Sequence, residues 1–74
     1  MPDPESIGAF VRRRRRANRL TQRQLADLAG VGLRFLSELE RDKASVRLES
    51  VDKVLRVFGK QVGVVDAPRP DEPL

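Results

Sequence analysis

Leu20-Thr21-Gln22-Arg23-Gln24-Leu25-Ala26-Asp27-Leu28-Ala29-Gly30-Val31-Gly32-Leu33-Arg34-Phe35-Leu36-Ser37-Glu38-Leu39-Glu40-Arg41 is the stretch on which the fold turns. Thr21 and Gln24 stand three residues apart, the spacing at which a hydroxyl accepts the amide of Gln24 while the Gln24 side chain returns to the amide of Thr21. That capping box predicts a helix through Leu25, Ala26, Leu28 and Ala29, stopped by Gly30, which takes the positive φ needed just past a helix end. After the link Gly30-Val31-Gly32, apolar Phe35, Leu36 and Leu39 follow the i, i+1, i+4 pattern of a helix with one buried side. Gly32 falls at its N-cap, where glycine is acceptable but offers no side-chain acceptor.

Upstream, a first helix is expected from near Pro4, with Asp3 as N-cap, Glu5 in the first turn and an apolar stripe of Ile7, Phe10, Val11 and Ala17. It should leave helical geometry near Asn18, a residue tolerant of the left-handed conformation. Downstream, Leu48, Val51, Val54, Leu55 and Phe58 predict a fourth helix ending at Gly59. Gln61-Val62-Gly63-Val64-Val65 is β-branched and nearly alternating, which predicts a short strand. The expected organisation is a flexible stretch 1–5, a helical body 6–59, a strand 60–66 and a Pro-rich, charged, disordered tail 67–74.

Composition narrows what such a body can do. The 74 residues include 15 Lys+Arg against 11 Asp+Glu, for a formal net charge of +4, and neither Cys nor His. Disulfides, thiolate or imidazole metal sites, and histidine or cysteine catalysis are thereby excluded. No paired-carboxylate or glycine-loop spacing replaces them, since Glu38 and Glu40 face different ways and Glu49 with Asp52 reads as a solvated helix face. Neither an enzyme nor a cofactor is expected. The acidic start Met1 to Glu5 is unlike a basic signal peptide, and no apolar run approaches the roughly 20 residues of a membrane span, so a cytoplasmic, nucleoid-associated protein is expected. A chain this small buries only roughly 60% of its unfolded surface, so a second copy would add useful apolar burial.

The charge is uneven. Arg12 to Arg16, Arg19 and Arg23 place seven cations within twelve residues without an intervening acid, whereas the last nine residues hold one basic and three acidic side chains. Two short helices joined by a brief Gly-containing turn form a helix-turn-helix, whose second helix is pushed out toward a DNA major groove. A basic amphipathic membrane-surface helix is a distant alternative, because the arginines run all around the first helix and the remaining helices would have no purpose.

Over residues 7–58, the stretch quoted above resembles the XRE/Cro-type phage-repressor family. The resemblance implies a mainly α domain of four short helices. Recognition of bases would lie at the start of the third helix and one turn on, at Leu33, Arg34, Ser37 and Glu38. Arg34 suits guanine O6 and N7 bidentately, Leu33 a thymine methyl and Glu38 cytosine N4. Phosphate contacts are expected from Arg12, Arg13, Arg16, Arg19, Arg23 and Arg41, and from Thr21, Gln22 and Gly32 at helix N-termini. Arg15 and Glu40 occupy positions where the family often has a buried ion pair tying the first helix to the end of the third.

A lone strand needs another edge, and the same strand of a second copy is the most economical one. Dimerisation through Gln61, Val62, Gly63, Val64 and Val65 would also present two recognition helices to the half-sites of a palindromic operator on double-stranded DNA. This layout, over residues 7–66, resembles the HipB-type antitoxins, which repress their own operon and bind a HipA-type kinase toxin. A stand-alone XRE-type regulator and a restriction-modification controller protein remain as alternatives. Which side of the strand is buried stays open.

Overall fold

The computed structural model describes residues 5–67. Four helices follow in order: α1 (Ile7–Ala17), α2 (Gln22–Ala29), α3 (Leu33–Glu40) and α4 (Leu48–Val57). α3 packs against α1 and α2, and α2 also packs against α4. Between them lies a core of Val11, Leu25, Ala26, Leu36, Leu39, Val51, Val54, Leu55 and Phe58. Leu25 and Leu36 are wholly enclosed, and truncating such a side chain to alanine costs about 2–5 kcal/mol.

α1 starts later than the sequence suggests. Ser6, not Asp3, is its N-cap, accepting the Ala9 amide at 3.1 Å, and Asp3 and Pro4 lie outside the described residues. Only Val11 of the expected stripe is fully enclosed; Phe10 is half-buried, while Ile7 and Ala17 are exposed. Gly8 takes the place of an apolar side chain where α1 meets the end of α3: a β-carbon there would run into the Leu39 carbonyl oxygen and the Asp42 carboxylate. At the other end Asn18 keeps a negative φ of −91°, and the left-handed residue is Arg19 at +56°. Asn18 instead turns its side-chain amide onto the Arg14 carbonyl at 2.7 Å, capping the last turn without changing hand.

The capping box of α2 forms in both directions, Gln24 amide to Thr21 hydroxyl at 3.0 Å and Thr21 amide to Gln24 side-chain oxygen at 2.8 Å. Gly30 closes the helix at φ +73°, and its successor Val31 donates to the Ala26 carbonyl at 3.0 Å. Gly32 begins α3 without a side-chain cap. Arg41 and Asp42, the latter at φ +59°, then turn the chain toward α4.

α4 buries Val51, Val54 and Leu55, whereas Leu48 remains 67% exposed. Past Gly59 no strand forms among the described residues; the edge with which 60–66 was expected to pair belongs to a second copy, and the single chain offers none. It is nevertheless fastened: the Val62 amide donates to Asp52 at 2.9 Å, and the half-buried Val62 packs against the core. Asp52, read from sequence as part of a solvated face, thus ties α4 to the segment beyond it. Val64 and Val65 stand exposed. The tail beyond residue 67 lies outside the described residues.

Candidate nucleic-acid interface

The five consecutive arginines of α1 fall into four placements, because successive helical residues are rotated by about 100° and Arg12 and Arg16, one turn apart, share a side. Arg13 forks onto Glu5 with two bonds of 2.9 Å, and its guanidinium lies 5.4 Å from the Phe10 ring centroid. Arg14 sits over Phe10 and Phe58, 5.6 and 5.4 Å from the ring centroids, and covers the edge of that aromatic pair. Arg15 turns inward. Arg12 and Arg16 stay exposed and line an open cleft with Arg15, Gln22, Ser37, Glu40 and Arg41.

At the floor of that cleft, Arg15 and Glu40 form a bidentate pair, Nε to Oε2 at 2.7 Å and Nη2 to Oε1 at 3.0 Å. The side chains are 12% and 3% exposed. Arg15 also donates to the Leu20 carbonyl at 2.9 Å, so one guanidinium joins α1, the turn before α2 and the end of α3. A pair this well desolvated must satisfy its remaining lone pairs and protons to be stable. Gln22 does so from the first turn of α2, donating to Glu40 Oε1 at 3.2 Å. The Gln22 amide expected to reach a phosphate is therefore turned into the body. Its position depends on where α3 ends relative to α2, a relation absent from local sequence.

The outward side of α3 is less uniform than its periodicity suggests. Leu33 is 40% exposed and the Arg34 side chain 93% exposed, but Ser37 is half-buried and the Glu38 side chain only 17% exposed. Glu38 pairs with Arg34 Nε and with Lys43 Nζ, each at 3.3 Å. The two cations, Lys43 foremost, hold its carboxyl below the usual carboxylate range. Lys43 was not singled out by sequence, since it lies outside α3, although the i, i+4 spacing of Arg34 and Glu38 was visible.

Arg19, Arg23 and Arg41 are exposed, at the end of α1, in α2 and just after α3. Thr21 is exposed but commits its hydroxyl to the Gln24 amide, and Gly32 brings bare backbone to the start of α3. The expected residues thus divide: Arg12, Arg16 and Arg41 meet at one cleft, Arg34 projects from α3, and Arg13, Gln22 and Glu38 are engaged within the chain. Among the described residues, no group of three or more His, Cys, Asp or Glu could hold a metal ion, and no helix is long and apolar enough to cross a membrane.

Residues 11–65 match the family described as Helix-turn-helix. The chain is also 40% identical over 62 residues to an uncharacterized HTH-type transcriptional regulator, y4mF, of Sinorhizobium fredii, an alignment covering 84% of this chain and 82% of that protein.

Proposed function

The chain belongs to the helix-turn-helix family of the XRE type, whose members are DNA-binding transcriptional regulators, and from that premise we propose that it is a repressor reading a palindromic operator. In this reading α3 enters the major groove and Arg34 addresses a guanine, with Leu33 and Ser37 beside it. Arg12, Arg16, Arg19, Arg23 and Arg41 neutralise phosphates, while the first-turn backbone amides after the Thr21 cap, at Gln22 and Arg23, and the amide of Gly32 approach the strand. The observation that carries the reading is the 93% exposed Arg34 on a helix whose other side is locked into the core.

Two copies joined through residues 61–65 would set two such helices about 34 Å apart, one turn of DNA. Exposed Val64 and Val65 favour a partner there. The further setting is that of a HipB-like antitoxin in the cytoplasm, repressing its own operon and holding a HipA-like kinase. The second reading, a stand-alone regulator, is favoured by the description of the Sinorhizobium fredii relative as a transcriptional regulator.

The experiment exposes the tagged full chain to a randomised duplex library, sequences what is retained, and weighs the complex by sedimentation. A palindromic consensus bound by two copies is expected; retention without sequence preference would refute operator reading. Capture from native cells separates the settings. A kinase recovered with the protein's own promoter supports the antitoxin, and the promoter alone supports the regulator.

A further inference from the structure

Glu38 is an anomaly on a surface assigned to DNA. A carboxylate that reads cytosine N4 must offer a free lone pair at the base edge, and it must approach two phosphate strands to do so. Here both oxygens already face cations of the same chain: Oε1 accepts from Arg34 Nε at 3.3 Å, and Oε2 pairs with Lys43 Nζ at 3.3 Å. The side chain is 17% exposed against 93% for Arg34, so the carboxylate lies back along the body while the guanidinium projects beyond it.

We propose that Glu38 is a positioning residue for Arg34, anchored from behind by Lys43, and that it does not read a base itself. The chemistry of the guanidinium makes this specific. Arginine carries five N–H donors in a rigid planar fork. With Nε held by Glu38, the two Nη groups remain as the end-on fork that matches guanine O6 and N7. Lys43 has a separate part: by fixing the second oxygen, it keeps Glu38 from following Arg34 when the arginine swings. An isolated i, i+4 pair would hold its arginine only loosely. The negative charge also weakens the grip of Arg34 on phosphates in general, so Glu38 lowers affinity for DNA of any sequence while sparing the guanine contact.

This proposal rests on Arg34 being a base reader, and the test separates the two. The full-length chain and the variants Arg34→Ala, Glu38→Gln, Lys43→Ala and Arg34→Ala/Glu38→Gln are titrated against three duplexes across a salt series. These are the selected operator, the operator with the guanine pair lost in Arg34→Ala replaced, and a random duplex. Thermal melting confirms that each variant folds. Glu38→Gln is expected to bind random DNA more tightly and to lose about tenfold of its discrimination at the Arg34 base pair. Lys43→Ala should lose part of the same discrimination, and in the Arg34→Ala background Glu38→Gln should change it no further.

Loss of operator affinity in Glu38→Gln, with discrimination at the Arg34 guanine pair intact, would overturn the proposal in favour of direct reading of another base by Glu38. Unchanged discrimination in Glu38→Gln would reduce the pair to surface decoration. If Arg34→Ala itself kept every base preference, the assignment of Arg34 would fall, and the positioning role with it.

Discussion

Arg34 and Arg16 are chemically identical side chains whose removal should have different consequences. Arg34 projects from a helix held on its other side, so Arg34→Ala should cost about 1–3 kcal/mol on the operator and relax preference at one base pair. Arg16 lies in the cleft beside α3, so Arg16→Ala should weaken all duplexes alike and reduce the salt slope by about 1. Titrations of both variants on operator and random DNA over a salt series check this; equal losses on both duplexes for Arg34→Ala would count against base reading. A second prediction concerns Glu40, buried under the same cleft. Glu40→Gln would leave the Arg15 charge without its carboxylate, and breaking such a buried pair costs about 3–5 kcal/mol. For a domain this small that is a fall in melting temperature of about 12–40 °C, measurable by circular dichroism. The meeting of Arg15 and Glu40 was readable through family resemblance and helical spacing. The turn of Gln22 onto Glu40 was not, because it depends on the relative placement of three helices.

At the scale of the element, α2 shows how local chemistry makes a short helix legible. Eight residues are too few for a stable isolated helix, yet both bonds of the capping box and the left-handed Gly30 mark its ends in sequence. Thr21→Ala should therefore destabilise the protein by about 1 kcal/mol, seen as a lower urea midpoint with unchanged denaturant slope. α1 was less legible at its ends. Ser6 and Asp3 are both good caps by residue type, and the structure uses Ser6, whose hydroxyl accepts from the Ala9 amide. The strand expected at 60–66 is not formed within the single chain: β-branched alternation states a preference, and the ladder it was read to join needs an edge from a second copy.

At the scale of the molecule, three carboxyl groups among the described residues are depressed and contribute to the response to acid. Glu5 is lowered by Arg13, Glu38 by Lys43 and Arg34, and Asp52 by the Val62 amide and then Arg56. Each folded-state value lies below the unfolded one, so its stabilising contribution is complete above the ordinary carboxylate range and is lost as pH falls through the depressed value. Melting temperature should accordingly hold near neutral pH and drop below about pH 4. Asp52→Asn should remove part of that drop and loosen the segment after Gly59, a change visible as faster amide exchange at Val62.

Gly8 and Arg15 lie seven residues apart on one side of α1, about 10 Å along its axis. Both meet the final turn of α3, one through bare backbone and the other through a long side chain. α3 is thus gauged at two points, and its tilt is set as much by a missing methyl group as by an ion pair. Gly8→Ala would wedge the Leu39 end outward while Arg15 still holds Glu40, rotating the outward face of α3 away from its bearing. A folded Gly8→Ala protein should bind random duplex almost normally and the operator poorly, as an instrument that works but is out of alignment.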